Sequence, residues 1–581
     1  MTIEPRRVFC VIDEQYRDVD RANDVALGVF DIAGQKVDLC TTPTWIDNPA
    51  FPADDEWRIE FSKFSYGLDL AHAYGIGCER RYLDSWRDLV FSWIDQVPAD
   101  HDVTDVVARR LQHWTYAWAR FAQPRGPHQI FSETEAERVL TSMANQLAYV
   151  RANLARERNH RTLELYSLLI AGLAFPALDP DGDHVRFAAF ELFRNLHSDV
   201  LTDGVHRERS THYHAIALRS FLGTAINAKQ FRIDLRPDYD LRLAQACRFL
   251  AHVMRPDGSL PRLSDSDDGQ YRALLRLAAH HLADAELEYV ATGGQHGTRP
   301  LSCATSFDHG GYHIQRSGWG DETTSFDKER QLIFDCGPVG DSGHGHYDAL
   351  HVEISAGGGA LLVDPGRYTY DEPAGTEPNW RQHFKGTAAH NTVTVDGLDQ
   401  VAYRRGKPKG PLSQTRLLSR RVDEHVQQLV GEVISPEYDA IHRRRILFVN
   451  RTWWVVEDQL DAHESHDYQL RWHLSHAAEG ATTVGPDCDV YAPGVRLFFP
   501  HERSVEVEQG WVSPSYGVKL PAPVVSASRR GRICRFVTVI VPAEEDRPMV
   551  ECSSLTRLSL HRAESIEHLD WTMDEVDWSC S

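Results

Sequence analysis

A chain of 581 residues with 42% apolar residues is too long for one ordinary core and too apolar for disorder, so two or three folded domains are expected. Its formal charge of -22 excludes nonspecific nucleic-acid binding, which needs dense Lys and Arg, yet leaves room for an anionic ligand in a locally basic cleft. The ten cysteines, from Cys10 to Cys580, contain no C-x-x-C pair, which argues against zinc knuckles or a disulfide framework and suits reduced thiols. The opening "MTIEPRRVFCVIDEQYRDVDRA" is charged throughout and has no signal-like apolar core. No window reaches a membrane span, so the chain as given reads as cytoplasmic, with no membrane partner.

The first half carries apolar residues at three- and four-residue spacings with charges opposite. "FSKFSYGLDLAHAYG", "RRYLDSWRDLVFSWIDQV", "TDVVARRLQHWTYAWARFA", "TEAERVLTSMANQLAYVRANLARE", "HRTLELYSLLIAGLAFPAL", "RFAAFELFRNLHSDVLT", "STHYHAIALRSFLGTAINA" and "YDLRLAQACRFLAHVM" all read as helices. Short Pro-, Gly- and Asp-rich links between them suit antiparallel helical hairpins. No short repeat is evident, which disfavours a regular solenoid.

Near residue 300 the texture turns β-branched and aromatic, with turn residues between runs such as "HVEISAGG", "GALLVDPG", "HNTVTVDG", "RRILFVNRTWWVVEDQ", "YQLRWHLS", "VRLFFP" and "RICRFVTVIVP". Several alternate in the manner of antiparallel sheets packed face to face. The expected fold class is therefore α+β and multidomain: helices over 1–295, a large antiparallel β-sandwich over 296–545, and a polar, acidic tail over 546–581, either free or packed on the β-domain.

Three stretches carry candidate chemistry. In "RERNHRTLELYSLL", Asn159 and His160 open a helix, where Asn reads first as a cap. In "DGVHRERSTHYHAIALRS", Glu208, Tyr213 and His214 lie in and after a Gly-containing loop; Tyr213 alone reads as a buried hydroxyl with a partner or as a proton donor. In "DSGHGHYDALHVEISAGGGALLVDPGRYTY" and "NWRQHFKGTAAHNTVTVDG", His344, His346 and Asp348 alternate, so on a strand they would share a face. Asp364 and His390 add ligand types that zinc accepts, against the plain alternative of a hydrogen-bonded polar core. Arg367, Arg381 and Lys385 are either anion-binding groups or surface charges, and Tyr370 is a candidate substrate contact. "YRRGKPKG" (Tyr403 to Gly410) reads as a solvated basic loop or a substrate-contacting one, and Arg443 to Arg445 as an alternating strand.

These motifs, in this order and approximate spacing, resemble the heparinase II/III family of polysaccharide lyases over about residues 25 to 480. The resemblance implies an incomplete α/α toroid followed by an antiparallel β-sandwich. It implies that Asn159 and His160 face the uronate carboxylate, with His160 also available as a base. It makes Tyr213 the general acid, and for some substrates the base, and brings His344 into the cleft. It also implies a zinc site of His346, Asp364 and His390, structural rather than catalytic, although three ligands leave a position open.

The implied reaction is β-elimination from a uronic-acid-containing glycan. The C5 proton is a poor acid beside a carboxylate, so donors must neutralise that carboxylate while a base and an acid flank the sugar. Glu208, Arg367, Tyr370 and Arg381 are the expected substrate contacts. The other readings are an eliminase of the same fold acting on a small molecule, a noncatalytic glycan-binding protein, and a glycoside hydrolase using Glu208 and Asp348. The expected partner is an acidic glycan or oligosaccharide; a homodimer stays open.

Overall fold

In the computed structural model the described residues are 4–11, 17–122, 130–340, 342–373, 378–406, 410–543, 549–554, 556–562, 565–572 and 575–580. By packing, the chain divides into Met1–Val200 with Ala215–Ala244, and Leu201–His214 with Gln245–Ser581.

The first unit is built from the periodic runs. Thr104–Phe121 and Arg158–Ala174 pack together, and the second of these is buried from Thr162 to Ala174. That is why "LYSLLIAGLA" shows no polar face: a helix apolar all round sits inside its bundle. Glu133–Ala152 starts at Ser132, whose hydroxyl accepts from the Glu135 amide while the Glu135 carboxylate accepts from the Ser132 amide, a reciprocal cap. Arg110, fully buried, donates to Asp102 (2.7 Å), Gln146 (2.9 Å) and the Ser62 carbonyl (3.0 Å). A charge this deep needs such a set of acceptors. Two short strands, Val29–Ile32 and Gln35–Asp38, and the helix Val19–Ala26 lie outside the strongly periodic runs.

Helical texture ends at Ala285–Ala291, and the strands of the larger sheets begin at Ala304–Phe307. Packing does not follow texture, however: residues 245–291 are largely helical yet cluster with the strands. Periodicity reports which face of a helix is apolar, not which neighbour covers it.

The second unit contains three antiparallel sheets. A five-stranded sheet runs in sequence order through Ala304–Phe307, Tyr312–Arg316, Gln331–Asp335, Val352–Ala356 and Gly359–Leu362. It shares a core with a ten-stranded sheet, where Leu332, Phe334, Val352, Ile354 and Leu362 meet Val393, Ile446, Trp454, Leu470 and Ile540. The large sheet is centred on two long strands, Trp453–His473 and Val518–Pro542, paired from Trp454↔Ile540 to His473↔Val524 with a register shift between Asp461 and His466. Strands buried on both faces give the near-continuous apolar runs "WWVV" and "FVTVIV". In Ile441–Val449, Arg443 pairs with Glu432 (2.7 Å), Arg444 is buried on Asp458 (2.7 Å), and Arg445 donates to the Thr572 carbonyl (2.7 Å).

The tail is ordered. Met549–Ser554, Arg557–His561, Ile566–Trp571 and Val576–Cys580 form a four-stranded antiparallel sheet. Its Leu558, Leu560, Leu569 and Trp571 pack on Leu447, Trp453, Val455, Val537 and Val539. The two faces are tied by indole donors: Trp453 to Glu567 (3.1 Å) and Trp571 to Glu457 (3.0 Å). Polar residues alternating with few apolar ones hide such a strand, since one face of each is solvated. No helix among the described residues is long and apolar enough to cross a membrane, and no disulfide joins the cysteines there.

Candidate active site and metal centre

The stretch from Ser342 to Leu350 is a loop between Gln331–Asp335 and Val352–Ala356, not a strand. The convergence of its polar side chains therefore does not come from a pleat. Glycines make the loop possible: a side chain at Gly345 would put its Cβ 2.9 Å from the Gly340 nitrogen. Nearby backbone is held in the left-handed region at non-glycine positions, including Arg209 (φ 61°), Ser264 (φ 60°), Leu350 (φ 67°) and Tyr368 (φ 52°). Such residues cost free energy and cluster where geometry matters for function.

The centre of the site is Asp265, in "SDSDDG", which the sequence did not single out. Its buried carboxylate accepts from His344 Nδ1 (2.9 Å), from His346 Nε2 (2.9 Å), and from both terminal nitrogens of Arg381 (Nη2 at 2.8 Å). Burial works to raise its pKa, but the Arg381 guanidinium and the two histidine hydrogen bonds prevail and hold it well below the carboxylate range. An ionised carboxylate only accepts, so both histidine nitrogens that face it carry protons.

His344 stacks on Tyr213, ring centroids 3.8 Å apart and 25° between planes. Its other nitrogen, Nε2, lies 3.8 Å from Glu208 Oε2. Burial lowers the imidazole's pKa against the pull of Asp265. Tyr213 sits in the first turn of the helix Thr211–Phe231, whose start is pinned by Ser210 donating to the Asp265 carbonyl (2.8 Å) and Thr211 donating to the Pro261 carbonyl (2.6 Å). The Tyr213 and Tyr370 hydroxyls share a hydrogen bond (2.9 Å), and Arg367 Nη1 donates to the Tyr370 oxygen (2.8 Å). Burial first, then the neighbouring Tyr370, push Tyr213 well above the usual phenol value, so it keeps its proton.

Arg367 forks onto Asp267 (2.8 and 2.5 Å), as Arg381 does onto Asp265, so both guanidiniums are engaged with carboxylates and orient the tyrosine and histidine. Lys385 is buried and donates to the Gly343 carbonyl (2.7 Å); burial, then Arg381, bring it down to about 8. His214, singled out beside Tyr213, instead bonds the Ala246 carbonyl (3.1 Å) in the core.

Asn159 and His160 belong to the first unit, in the N-terminal turn of Arg158–Ala174. Asn159 is buried and His160 exposed. The residue before the helix is Glu157, which makes no side-chain cap, so Asn159 lies inside the helix and not at its cap. Of the basic run Tyr403 to Gly410, residues 407–409 lie outside the described residues.

Behind Asp265, donor atoms of His346, Asp348, Asp364 and His390 all lie within 4.8 Å of one another, and all four residues are buried. His346 Nε2 donates a hydrogen bond to Asp265, and His390 Nδ1 donates to the Gly386 carbonyl (2.8 Å). Their remaining nitrogens, His346 Nδ1 and His390 Nε2, are thus both lone pairs and face each other at 3.2 Å. Asp364 Oδ2 is 3.6 Å and Asp348 Oδ2 3.9 Å from His390 Nε2, and neither oxygen has a hydrogen-bond partner. Burial, and then a neighbouring carboxylate, push both aspartates well above their ordinary value. Two inward-facing imidazole nitrogens and two buried carboxylates crowded together are what a divalent cation neutralises, and mixed imidazole and carboxylate donors suit zinc. The residues fit such an ion. Asp348, noted in the sequence but left out of the expected ligand set, is a fourth donor.

Two family models match: "Heparinase II/III N-terminus" over residues 21–285 and "Heparinase II/III-like, C-terminal" over residues 299–554. The chain belongs to the heparinase II/III-like family. Among relatives of this family member, a heparin-sulfate lyase of Bacteroides stercoris is 23% identical over 533 residues, covering 84% of the chain and 76% of the relative. The heparin-sulfate lyase of Pedobacter heparinus is also 23% identical, over 84% and 74%. Among solved structures, heparinase III superposes with a TM-score of 0.76 at 18% identity, covering 100% of the chain and 93% of its own. A heparan sulfate lyase from Pedobacter heparinus gives 0.65 at 20% identity, covering 98% and 90%. The fold class is that of an incomplete α/α toroid followed by an antiparallel β-sandwich.

Proposed function

We propose that this chain cleaves a uronic-acid-containing glycosaminoglycan by β-elimination, with Tyr213 and His344 as its proton-handling pair. As a member of its family it is a polysaccharide lyase, and so a carbon–oxygen lyase. Its relatives' names point to heparan-type chains as the first substrates to try.

The observation that carries the reading is the Tyr213–His344 stack with the two rings in complementary states. Tyr213 holds its proton and can give it to the departing O4 oxygen. His344 has its Nδ1 proton committed to Asp265, so its neutral form offers the Nε2 lone pair as acceptor of the C5 proton. The family resemblance is what assigns Asn159 and His160 to the uronate carboxylate, a role in which a donor is worth about 100-fold or more. Glu208 lies beside His344 Nε2 and polarises it.

His346, Asp348, Asp364 and His390 are the residues that would hold zinc. A bound ion supplies fixed positive charge that braces the loop bearing His344. Every proton in the scheme moves between side chain and sugar.

The test is ultraviolet absorbance during incubation with heparan sulfate, heparin, chondroitin, hyaluronan and alginate. The expected result is a rising signal of unsaturated product on a heparan-type chain, reduced about 100- to 10,000-fold in Tyr213→Phe. A saturated product at the cut would instead mean hydrolysis and end this reading.

A further inference from the structure

In the same unit as the Tyr213–Tyr370 pair stands a cation of a different kind. The Lys519 ammonium lies 3.2 Å from the ring centroid of Trp380, 4.4 Å from that of Trp511 and 5.3 Å from that of Tyr368. Trp380 and Trp511 are set at 81°, centroids 5.9 Å apart, and Trp380 and Tyr368 at 83°, 6.1 Å apart. All four side chains are half-buried, so they keep open surface. Among the described residues Lys519 has no hydrogen bond or ion pair; Arg367, Arg381 and Lys385 all do.

The box is built from the same pieces as the reaction centre. Tyr368 is two residues from Tyr370, and Trp380 precedes Arg381, which grips Asp265. The turn before Lys519 carries Tyr516, whose hydroxyl accepts from the Tyr370 amide (3.1 Å) and whose backbone neighbour Gly517 donates to the Tyr368 carbonyl (2.8 Å). A sugar ring presents an apolar face that lies flat on an indole, and an acidic sugar adds a charge at its edge. Open aromatic walls around an unpaired ammonium match both features.

We propose that Lys519, Trp380, Trp511 and Tyr368 form an outer subsite for an anionic sugar residue of the glycan, its carboxylate or sulfate meeting the Lys519 ammonium. This rests on the glycan-lyase reading, which supplies the acidic glycan, and on the Tyr516 and Gly517 hydrogen bonds that tie the box to Tyr370. A polymer longer than the reacting unit is then held by this contact, and short fragments are not.

The experiment measures KM for heparan-type oligosaccharides of increasing length, sulfated and unsulfated, and their affinity for the Tyr213→Phe chain by calorimetry. Lys519→Ala is expected to raise KM and weaken affinity about tenfold on the long oligosaccharides, with a smaller effect on the shortest. Lys519→Met, which keeps an unbranched stem between the rings without the charge, should show the same loss if charge is what matters. Trp380→Phe should show a lesser one. Lys36→Ala, altering a surface lysine paired with Asp24 in the first unit, is the control. A loss confined to sulfated chains assigns the charge to sulfate; an equal loss on both assigns it to carboxylate. KM and affinity within twofold at every length, with the unaltered chain active, would overturn the subsite. Lys519-dependent binding without unsaturated product would end the elimination reading and leave the subsite standing, whereas no glycan binding at all would overturn the subsite.

Discussion

Asp265→Asn changes one atom and breaks four hydrogen bonds' worth of logic. The carboxylate is fully buried and accepts hydrogen bonds from His344, His346 and both ends of Arg381. An amide offers one oxygen and turns two N–H groups toward donors. Arg381 is then a buried charge without a counter-charge, a loss of about 3–5 kcal/mol. At about 2.1 cal/mol/K per residue of unfolding entropy, this lowers the Tm of a unit of this size by about 4–7 °C. His344 also loses the acceptor that fixes its tautomer and its stack on Tyr213, so kcat falls about 100-fold or more. The assay pairs thermal unfolding with initial rates of ultraviolet product. Asp265→Asn with Arg381→Met removes both charges and should recover most of the lost Tm but not the rate, because the histidine remains unanchored. If Asp265→Asn keeps its Tm within about 1 °C and its rate within twofold, Asp265 does not organise this site.

Elemental analysis should find about one zinc per chain, and a strong chelator or His390→Ala should lower the Tm; no metal and no change in Tm would remove the ion from the scheme. Glu164, on the same helix as Asn159, is raised by burial to about 7 from 4.5 despite hydrogen bonds from Thr104 and the Ala155 amide. The folded state therefore binds this proton more tightly, and its stability should fall by about 3 kcal/mol relative to Glu164→Gln between pH 4.5 and 7, with no further divergence above. Parallel denaturation curves for the two proteins across that window would contradict the burial argument. Gly366 has φ 80°, and a Cβ there would lie 2.7 Å from the Ser513 carbonyl oxygen. Gly366→Ala should cost about 3 kcal/mol and disturb Tyr370, read as a lower Tm and a lower kcat together; an unaltered Tm would show that the turn relaxes freely.

Much of the architecture was legible because it rests on periodicity. "TDVVARRLQHWTYAWARFA" became Thr104–Phe121, and "RICRFVTVIVP" ends the long strand Val518–Pro542. Where periodicity is absent, reading failed or slipped. The alternation of His344, His346 and Asp348 looked like a pleat but is a glycine-hinged loop, because alternating polar residues can be produced by either. Asp265 was missed because its partners lie 79, 81 and 116 positions away. Its local context, "SDSDDG", looks like any acidic turn. The signal that could have found it was the Pro261 and Gly269 bracket around six charged or hydroxyl residues where no helix continues. Lys519 was invisible for the same reason: Trp380 lies far from it in sequence, and a cation among aromatics has no linear pattern.

The ordered tail sets a timetable for synthesis. Until residues 549–580 emerge, Leu447, Trp453, Val455, Val537 and Val539 present a bare apolar face on an otherwise complete sheet. A chain lacking residues 549–580 would therefore expose a wall able to stick to a neighbour's, and association would compete with soluble product until that last sheet docks.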